Sequence, residues 1–286
     1  MKLASFTSAG QASWGVVVEG GVIDMGRRFA DRFPTLRSAL AAQALGAVSA
    51  LAKQARPDFA LAGVMLLPPI PDPEKIICLG NNYRAHVLEA GGTIPEHPQL
   101  FIRLANTLVG HEGALVVPTI SSELDYEVEL AIVIGRSGRH VPRAEALAHV
   151  AGYTCFNDAS VRDIQLKHSL DAGKNFFATG HCGPWIVTSD EIPDPGRLAV
   201  KTRINGRELQ NGNTSDLIFD VPAIVAYVSG FTPLAPGDII ATGTPQGVGF
   251  TRKPPIWLKP GDVVEIEVEK VGVLRNPVVA EAGKQP

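Results

Sequence analysis

The sequence has no apolar run that approaches the ~20 residues of a membrane-spanning helix. Its first residues, MKLASFT, lack the apolar stretch and the cleavage signal of a secretory leader. We therefore expect a cytoplasmic protein with no membrane partner. The formal net charge of −3 also provides no basic surface for nucleic acid.

The sequence has only three cysteines, Cys78, Cys155 and Cys182, and no CxxC spacing. Their odd number and their scatter argue against a disulfide framework and against a thiolate zinc site. Glycine and proline are abundant by contrast, with 29 and 22 residues. Both favour turns, and many turns indicate many short strands. We expect a β-rich α+β protein.

A proline-dense segment, LPPIPDP at residues 67 to 73, is the clearest candidate boundary in the chain. Before it, short strands and an Ala- and Leu-rich helix from Thr35 to Lys53 predict a small N-terminal α/β domain, residues 1–70. After it, residues 71–286 contain short apolar strands, and a further helix is expected to begin near Ala159. We interpret this second part as the catalytic domain.

Two glutamates, Glu127 and Glu129, lie in the segment LDYEVELAIVIG, residues 124 to 135, which otherwise has the pattern of a buried strand. Side chains alternate along a strand, so both carboxylates face the same way. Ala131 and Val133 continue that face, and apolar residues on both faces indicate a covered sheet. Ionised carboxylates in such a place cost several kcal/mol each unless a cation meets them. Two parallel carboxylates suit a hard divalent cation.

The segment DVVEIEVE, residues 262 to 269, spaces its glutamates in the same way. Here the glutamates alternate cleanly with valine and isoleucine, which predicts a half-exposed strand with a solvated acidic face. The spacing alone therefore does not predict a metal site. Only in residues 124 to 135 does the glutamate face continue with apolar residues, at 131 and 133, and this is what indicates buried carboxylates.

Asp158 is the third candidate acid, because it follows a strand that ends at Phe156. An alternative interpretation is that Asn157 or Asp158 caps the helix that follows. Arg162 and Gln165 lie four and seven residues beyond Asp158, on one helical face. An acid, a guanidinium and an amide would then line one edge of a cavity.

His86 and Glu89 are neighbours at i and i+3 if the segment from Tyr83 to Glu89 is helical. A carboxylate beside an imidazole orients the ring and makes it a better base. The alternative is an incidental pair on a surface helix. A Gly-rich segment, TGTPQGVG at residues 242 to 249, lacks the glycine spacing of dinucleotide folds and the lysine of a P-loop, which disfavours a nucleotide.

Together these segments resemble the fumarylacetoacetate hydrolase family, over roughly residues 74 to 280. The resemblance implies a mixed, rolled β-sandwich with a small N-terminal domain, assembled as a homodimer. It implies that Glu127, Glu129 and Asp158 bind one Mg²⁺ or Mn²⁺ per subunit. It also implies catalytic roles for His86, Glu89 and Lys174, and substrate contacts at Tyr83, Arg103, Arg162, Gln165 and Thr244.

Two positions depart from the family pattern: Arg103 replaces a common lysine, and Phe177 replaces a common aspartate. A planar guanidinium and a compact ammonium are not interchangeable, so both departures concern the substrate more than the metal.

The resemblance implies a small 2-oxo or diketo acid as substrate. Because His86 and Glu89 could activate water, we expect a hydrolase that cleaves a C–C bond of an acylpyruvate-type β-diketo acid, in the catabolism of aromatic or related small acids. The same enolate chemistry would serve an oxaloacetate decarboxylase, or an isomerase or hydratase of hydroxymuconate-type acids, and these remain alternatives. A non-catalytic protein with a structural cation is the remaining class.

Overall fold

A computed structural model describes residues 1 to 282 of the chain. Strands predominate in these residues, as the glycine and proline content predicts. The strands are β1 (Lys2–Ser8), β2 (Gln11–Val18), β3 (Gly21–Asp24), β4 (Met65–Leu66), β5 (Ile76–Gly80), β6 (Gln99–Ile102), β7 (Leu108–Val109), β8 (Leu115–Val117), β9 (Leu124–Asp125), β10 (Val128–Ile134), β11 (Val150–Asn157), β12 (Ser160–Val161), β13 (Gly180–Thr188), β14 (Ala199–Ile204), β15 (Arg207–Asn213), β16 (Ile239–Ala241), β17 (Val263–Val268) and β18 (Gly272–Ala280).

The helices are short. The α-helices are α1 (Met25–Arg28), α2 (Leu36–Ala41), α3 (Leu45–Ala52), α4 (Arg84–Glu89), α5 (Arg162–Lys167), α6 (Leu170–Lys174) and α7 (Val221–Phe231). Short 3-10 helices lie in the connections at Leu61–Gly63, Ala105–Thr107, Arg143–His149, Ser189–Glu191, Pro195–Arg197 and Thr214–Asp216.

The strands form two principal sheets. The larger one has eleven strands, with the order β3-β2-β1-β13-β11-β10-β16-β5-β6 and with β4 on β1 and β7 on β13. The smaller one has five strands in the order β15-β14-β17-β18-β8, and β12 pairs with β9 apart from both. Antiparallel pairs predominate, but β16 with β5, β13 with β7 and β18 with β8 are parallel. The predicted β-rich, mixed sandwich is confirmed.

Strand β10 lies at the centre of the packing, and all seven of its residues are buried. On one face, Ile132 belongs to the same core as Val264 of the smaller sheet. On the other face, Val133 packs in a second core with Leu40 of α2. Full burial of such side chains contributes about 1.5–3 kcal/mol each. The strand that follows the first glutamate is thus covered on both sides, as predicted.

Strand β17, which has the same glutamate spacing as residues 127 to 129, is half-exposed. Val264, Ile266 and Val268 are buried, whereas Val263, Glu265 and Glu267 are partly exposed. Glu267 pairs with Arg203 at 2.6 Å, and Glu265 lies 3.9 Å from Arg275. The prediction of a solvated acidic face is confirmed.

The helix predicted from Thr35 to Lys53 is wrong in one respect, because the segment forms two helices. Thr35 and Ser38 form a capping box that begins α2. Gln43 then adopts a left-handed backbone with φ of 54°, which ends α2, and α3 begins at Leu45.

The helix predicted near Ala159 begins three residues later, at Arg162. Ser160 and Val161 first pair with β9, so the chain stays extended up to the helix. The residue at the cap position is Val161, and no side chain caps this helix. Neither Asn157 nor Asp158 therefore serves as a helix cap, which leaves both side chains to the site described below.

The N-terminal strands continue the large sheet, because Lys2 of β1 lies opposite Val187 of β13. A division of the chain between residues 70 and 71 remains a prediction. The three cysteines are buried free thiols. No helix within residues 1 to 282 combines the length and the apolar character that a membrane crossing requires.

Candidate active site

Three acids converge where two neighbouring strands meet. Glu127 immediately precedes β10, Glu129 lies within it, and Asp158 follows β11. Val128 and Asn157 are register partners, and the amide of Asp158 donates to the carbonyl of Glu127 at 3.0 Å, which brings the acids together. One carboxylate oxygen from each acid lies within 4.8 Å of the others, and all three residues are buried.

Lys174, the last residue of α6, joins two of these acids. Its Nζ lies 2.8 Å from Oε2 of Glu127 and 2.6 Å from Oδ2 of Asp158. Burial disfavours the charged form of the amine, but the two carboxylates outweigh burial and raise the pKa of Lys174. The predicted catalytic lysine is thus a charged partner of the acid cluster.

Arg162 bridges the cluster to a fourth buried acid, Asp125. Its Nε donates to Asp125 at 2.8 Å, its Nη2 donates to Glu127 at 2.5 Å and its Nη1 donates to Gln165 at 2.7 Å. The guanidinium also lies over the ring of Phe250, 4.4 Å from the centroid. Burial opposes the ionisation of Glu127, but the charges of Lys174 and Arg162 prevail and lower the pKa of Glu127 to about 2.

Arg103 occupies a different place from the one expected of a substrate contact. Its side chain is 0% exposed, and its Nη1 donates to Oδ1 of Asp158 at 2.6 Å and to the carbonyl of Ala159 at 3.0 Å. Its other nitrogens reach Thr107 and Thr179, each at 3.3 Å. A planar fork satisfies these diverging acceptors better than an ammonium would. Arg103, which departs from the family pattern, thus binds Asp158, a candidate metal ligand.

The site contains more buried acid than buried base. Its four carboxylates and three cations are Asp125, Glu127, Glu129, Asp158, Arg103, Arg162 and Lys174. Their formal balance is −1 by this count. The remaining negative charge falls on Glu129, which has no cationic partner among residues 1 to 282 and accepts one bond, from the amide of Gly243 at 2.8 Å.

The donor set fits a hard divalent cation. Burial, together with the carboxylates of Asp158 and Glu127, raises the pKa of Glu129 well above its usual range. A cation placed beside such a carboxyl strongly stabilises its ionised form. Three carboxylate oxygens, with no thiolate or imidazole in the cluster, are the ligands that Mg²⁺ and Mn²⁺ prefer. Glu127, Glu129 and Asp158 would hold such an ion.

His86 and Glu89 are neighbours on α4, but they are not hydrogen-bonded. Nδ1 of His86 lies 3.7 Å from Oε2 of Glu89 and has no hydrogen-bond partner in the described part of the chain. Both carboxylate oxygens of Glu89 instead accept from the amide of Gly247, at 3.1 and 3.0 Å. Burial lowers the pKa of His86 below its ordinary value near 6.5. The imidazole is therefore neutral near pH 7.

A cavity of about 290 Å³ opens above the acids. Eight of the eleven predicted site residues line it: His86, Glu127, Glu129, Asp158, Arg162, Gln165, Lys174 and Thr244. Glu89, Tyr83 and Arg103 do not line it. The Tyr83 side chain is fully buried, and its hydroxyl has no partner within residues 1 to 282. Substrate contacts at Tyr83 and Arg103 remain predictions.

The rest of the lining is mixed. Apolar side chains, among them Leu100, Leu166, Leu170 and Phe250, surround the polar floor. The volume and the mixed lining suit a small molecule whose polar end lies deepest.

Two residues of the site were not among the predicted ones. Asp125 accepts from the amides of Gly249 and Phe250 at 2.7 and 3.1 Å, in addition to Arg162. Its signal was present, because it continues the alternation of acids at 127 and 129. Gln210, on β15, donates to the hydroxyl of Thr244 at 2.9 Å and had no comparable signal in the sequence.

The fold and the site define a class of protein: an enzyme with a cavity above three buried carboxylates that could hold a divalent cation. The family can then be stated. The model of the fumarylacetoacetate (FAA) hydrolase C-terminal domain matches residues 75 to 279, and the chain belongs to this family.

Individual relatives carry out different reactions. The mitochondrial oxaloacetate tautomerase fahd2 of Xenopus laevis is 44% identical over 221 residues, which are 76% of this chain and 69% of that protein. Maleylpyruvate hydrolase from Sphingobium sp. SYK-6, in complex with manganese(II) ion and pyruvate, is 32% identical with a TM-score of 0.82, covering 99% of this chain and 100% of that chain. The 5-carboxymethyl-2-hydroxymuconate delta-isomerase from Mycobacterium smegmatis is 33% identical with a TM-score of 0.78, covering 98% and 100%.

Proposed function

We propose that the protein is a tautomerase that depends on Mg²⁺ or Mn²⁺ and interconverts the keto and enol forms of oxaloacetate or a closely similar 2-oxo acid. The observation that carries this proposal is the state of His86. The imidazole faces the cavity, but the carboxylate that could orient it is bound to Gly247 instead. The similarity to the tautomerase of Xenopus laevis supports the same reaction.

Tautomerisation makes a smaller demand on His86 than hydrolysis does. Water is a very weak acid, so a histidine that activates it needs a carboxylate partner to stabilise the imidazolium. A proton on the carbon between an oxo group and a carboxylate is far more acidic. A neutral imidazole without a bonded carboxylate can accept that proton on its ring nitrogen and return it to the substrate oxygen.

The other residues bind and orient the acid. A divalent cation, when bound, would supply Lewis-acid stabilisation of the enolate that forms on loss of the proton. With such a cation bound, the formal balance of the site would change from −1 to +1, which favours an anionic substrate. Gln165 and the hydroxyl of Thr244 line the cavity and provide hydrogen bonds to substrate oxygens. The apolar rim reduces access of water.

Hydrolysis of an acylpyruvate is the second candidate, and one distance favours it. Nδ1 of His86 and Oε2 of Glu89 are separated by 3.7 Å, so a movement of about 1 Å would form a hydrogen bond of ordinary length. Glu89 would then support His86 in the activation of water. The two candidates therefore differ in what they require of Glu89.

The test compares Glu89→Gln and His86→Asn on two substrates, oxaloacetate and acetylpyruvate, with saturating Mg²⁺ or Mn²⁺. Loss of enol absorbance measures tautomerisation, and product analysis by NMR separates it from decarboxylation and C–C cleavage. We expect His86→Asn to lower the rate with oxaloacetate by about 10²- to 10⁴-fold, the usual contribution of a general base. We expect Glu89→Gln to retain most of it, because the amide oxygen can still accept from Gly247.

His97→Asn is the matched control, since His97 is exposed on the connection that follows α4. It should leave both rates unchanged. Efficient cleavage of acetylpyruvate that disappears in Glu89→Gln would instead establish hydrolysis. A wild-type protein that does not accelerate tautomerisation of oxaloacetate with either metal would refute the tautomerase assignment.

A further inference from the structure

Gln210 is a buried amide at the junction of the two sheets, and its side chain makes four hydrogen bonds. Gln210 is 1% exposed. Oε1 accepts from the amide of Val128 at 3.0 Å and from the hydroxyl of Thr202 at 2.7 Å. Nε2 donates to the hydroxyl oxygen of Thr244 and to the carbonyl of Pro245, each at 2.9 Å. Its hydrogen-bonding capacity is fully used.

Two of these partners fix the orientation of the amide. The backbone amide of Val128 can only donate, and the carbonyl of Pro245 can only accept. A flipped amide would place two donors together at Val128 and two acceptors together at Pro245, each buried and unsatisfied, which is strongly unfavourable. Nε2 of Gln210 must therefore face Thr244.

This orientation decides the direction of the Thr244 hydroxyl. Because its oxygen accepts from Nε2 of Gln210, its own hydrogen is available to another acceptor. No protein acceptor for that hydrogen occurs within the 282 described residues. Thr244 is 4% exposed, and what remains accessible lines the cavity above the acids. The O–H group is thus a donor directed at the contents of the cavity.

The same amide also sets the distance between this donor and the acids. Val128, which donates to Oε1 of Gln210, lies between Glu127 and Glu129 in the chain. Gln210 itself does not line the cavity. One side chain of the smaller sheet thereby connects the acid-bearing strand with the segment that carries Thr244.

We propose that Gln210 is a positioning residue that holds the Thr244 hydroxyl as a hydrogen-bond donor to a carboxylate or oxo oxygen of the bound 2-oxo acid. The inference rests on the proposed function in that the cavity binds such an acid. Gln210 acts through Thr244 and does not touch the substrate.

The test is a double-mutant cycle on the affinity for pyruvate, measured by calorimetry on the Mn²⁺-loaded protein. The variants are Gln210→Met, Thr244→Val and the two combined. A hydrogen bond to a charged group corresponds to about a 10- to 100-fold change in affinity, so each single variant should weaken pyruvate binding by about that factor. The double variant should bind no more weakly than Thr244→Val alone, because both changes remove one interaction.

Thr202→Val is the matched control. It removes the other hydroxyl that contacts the same amide, but it leaves the bonds from Nε2 to Thr244 and Pro245 in place. It should keep the affinity for pyruvate at the wild-type level. The affinity for Mn²⁺, titrated without pyruvate, shows whether any variant has disturbed the acids themselves.

Losses that add in the double variant would overturn the inference, because Gln210 would then act independently of Thr244. If Gln210→Met does not fold, the comparison of Thr244→Ser with Thr244→Val decides. Thr244→Ser should bind pyruvate like the wild type, and an undiminished affinity in Thr244→Val would refute the role of the hydroxyl.

The two proposals can fail separately. A protein that turns over oxaloacetate but gives additive losses overturns the inference alone. A protein that binds pyruvate with the expected coupling but does not tautomerise oxaloacetate overturns the proposed function alone.

Discussion

Replacing Glu129 with glutamine should have opposite effects on the metal-free and the metal-loaded protein. Glu129 is buried and lacks a cationic partner among residues 1 to 282, and its one bond is from the amide of Gly243. A glutamine has nearly the same shape and can still accept that bond through its amide oxygen. We expect Glu129→Gln to stabilise the metal-free protein, because it removes an unbalanced buried charge.

The magnitude follows from the state of the carboxyl. An uncompensated buried charge costs about 3–5 kcal/mol. Burial and the carboxylates of Asp158 and Glu127 raise the pKa of Glu129, so binding of a proton offsets part of that cost. A gain of about 1–3 kcal/mol in the free energy of unfolding is therefore expected.

The gain should depend on pH. A carboxyl whose pKa is raised on folding contributes stability below its unfolded value near 4.5 and loses that contribution as the pH rises through the raised pKa. Glutamine does not titrate. The advantage of the Glu129→Gln variant should thus be absent below about pH 4.5 and grow toward neutral pH.

The metal reverses the comparison. A cation at 100 times its Kd stabilises the folded state by about 2.7 kcal/mol, which raises the melting temperature of a large domain by roughly 5–10 °C. Wild-type protein should show this shift with Mn²⁺ and lose it with EDTA. The Glu129→Gln variant should show a much smaller shift, because one of three carboxylate ligands is gone.

Thermal melting with EDTA or with Mn²⁺ measures both effects. Glu267→Gln on β17 is the control, since that glutamate is partly exposed and pairs with Arg203. This variant should change the free energy of unfolding by no more than about 1 kcal/mol, with EDTA or with Mn²⁺. An equal Mn²⁺ shift in Glu129→Gln and wild type would refute the ligand assignment. A metal-free Glu129→Gln protein that melts below wild type would refute the argument from unbalanced charge.

Two further predictions concern the neighbours of the acids. Lys174→Met should destabilise the metal-free protein by about 3–5 kcal/mol in urea unfolding, because two buried carboxylates lose their shared cation. Mn²⁺ should restore part of this loss of stability. A loss below about 1 kcal/mol would show that other groups balance the acids. Because burial lowers the pKa of His86 and the neutral ring is the base, the acidic limb of kcat/KM should lie below pH 6.5. A limb above that pH, with metal saturation verified at each point, would contradict this role.

The acid triad could be predicted from the sequence because its signal is local. Alternation along one strand places Glu127 and Glu129 together, and the burial of Ala131 and Val133 on the same face follows from the same pattern. The third acid, Asp158, could be predicted because it directly follows the next long strand. The β-rich fold followed in the same way from short apolar segments and abundant turns.

The partners of the acids could not be predicted in this way. Arg103 and Asp158 are separated by 55 residues, and nothing in either segment specifies that the guanidinium turns inward to the acid. Arg162 likewise uses two of its nitrogens on Asp125 and Glu127. Such pairings depend on how the strands and helices pack, which periodicity does not describe.

Gln210 and the break in the first long helix illustrate two different reasons for failure. Gln210 acts across the two sheets, on Val128, 82 residues earlier in the chain. The break at Gln43 is local, but glutamine rarely adopts a left-handed backbone, so the sequence predicts a continuous helix. The first failure concerns a long-range contact that periodicity does not describe, and the second a local backbone conformation that the residue type does not indicate.

The pairing of β1 with β13 has a consequence for the synthesis of the chain. Lys2 is synthesised before its partner Val187, which follows 185 residues later. At about 5–20 residues per second, this interval is roughly 10–40 s. The β1–β2–β3 meander can form meanwhile through its own hydrogen bonds.

During that interval one part of the edge of β1 has no strand beside it. β4 covers the end near Phe6 once residue 66 has been made, but the end near Leu3 waits for β13. Open strand edges with apolar side chains readily pair with other chains. A nascent or truncated chain that stops before residue 187 would therefore be prone to self-association at this edge.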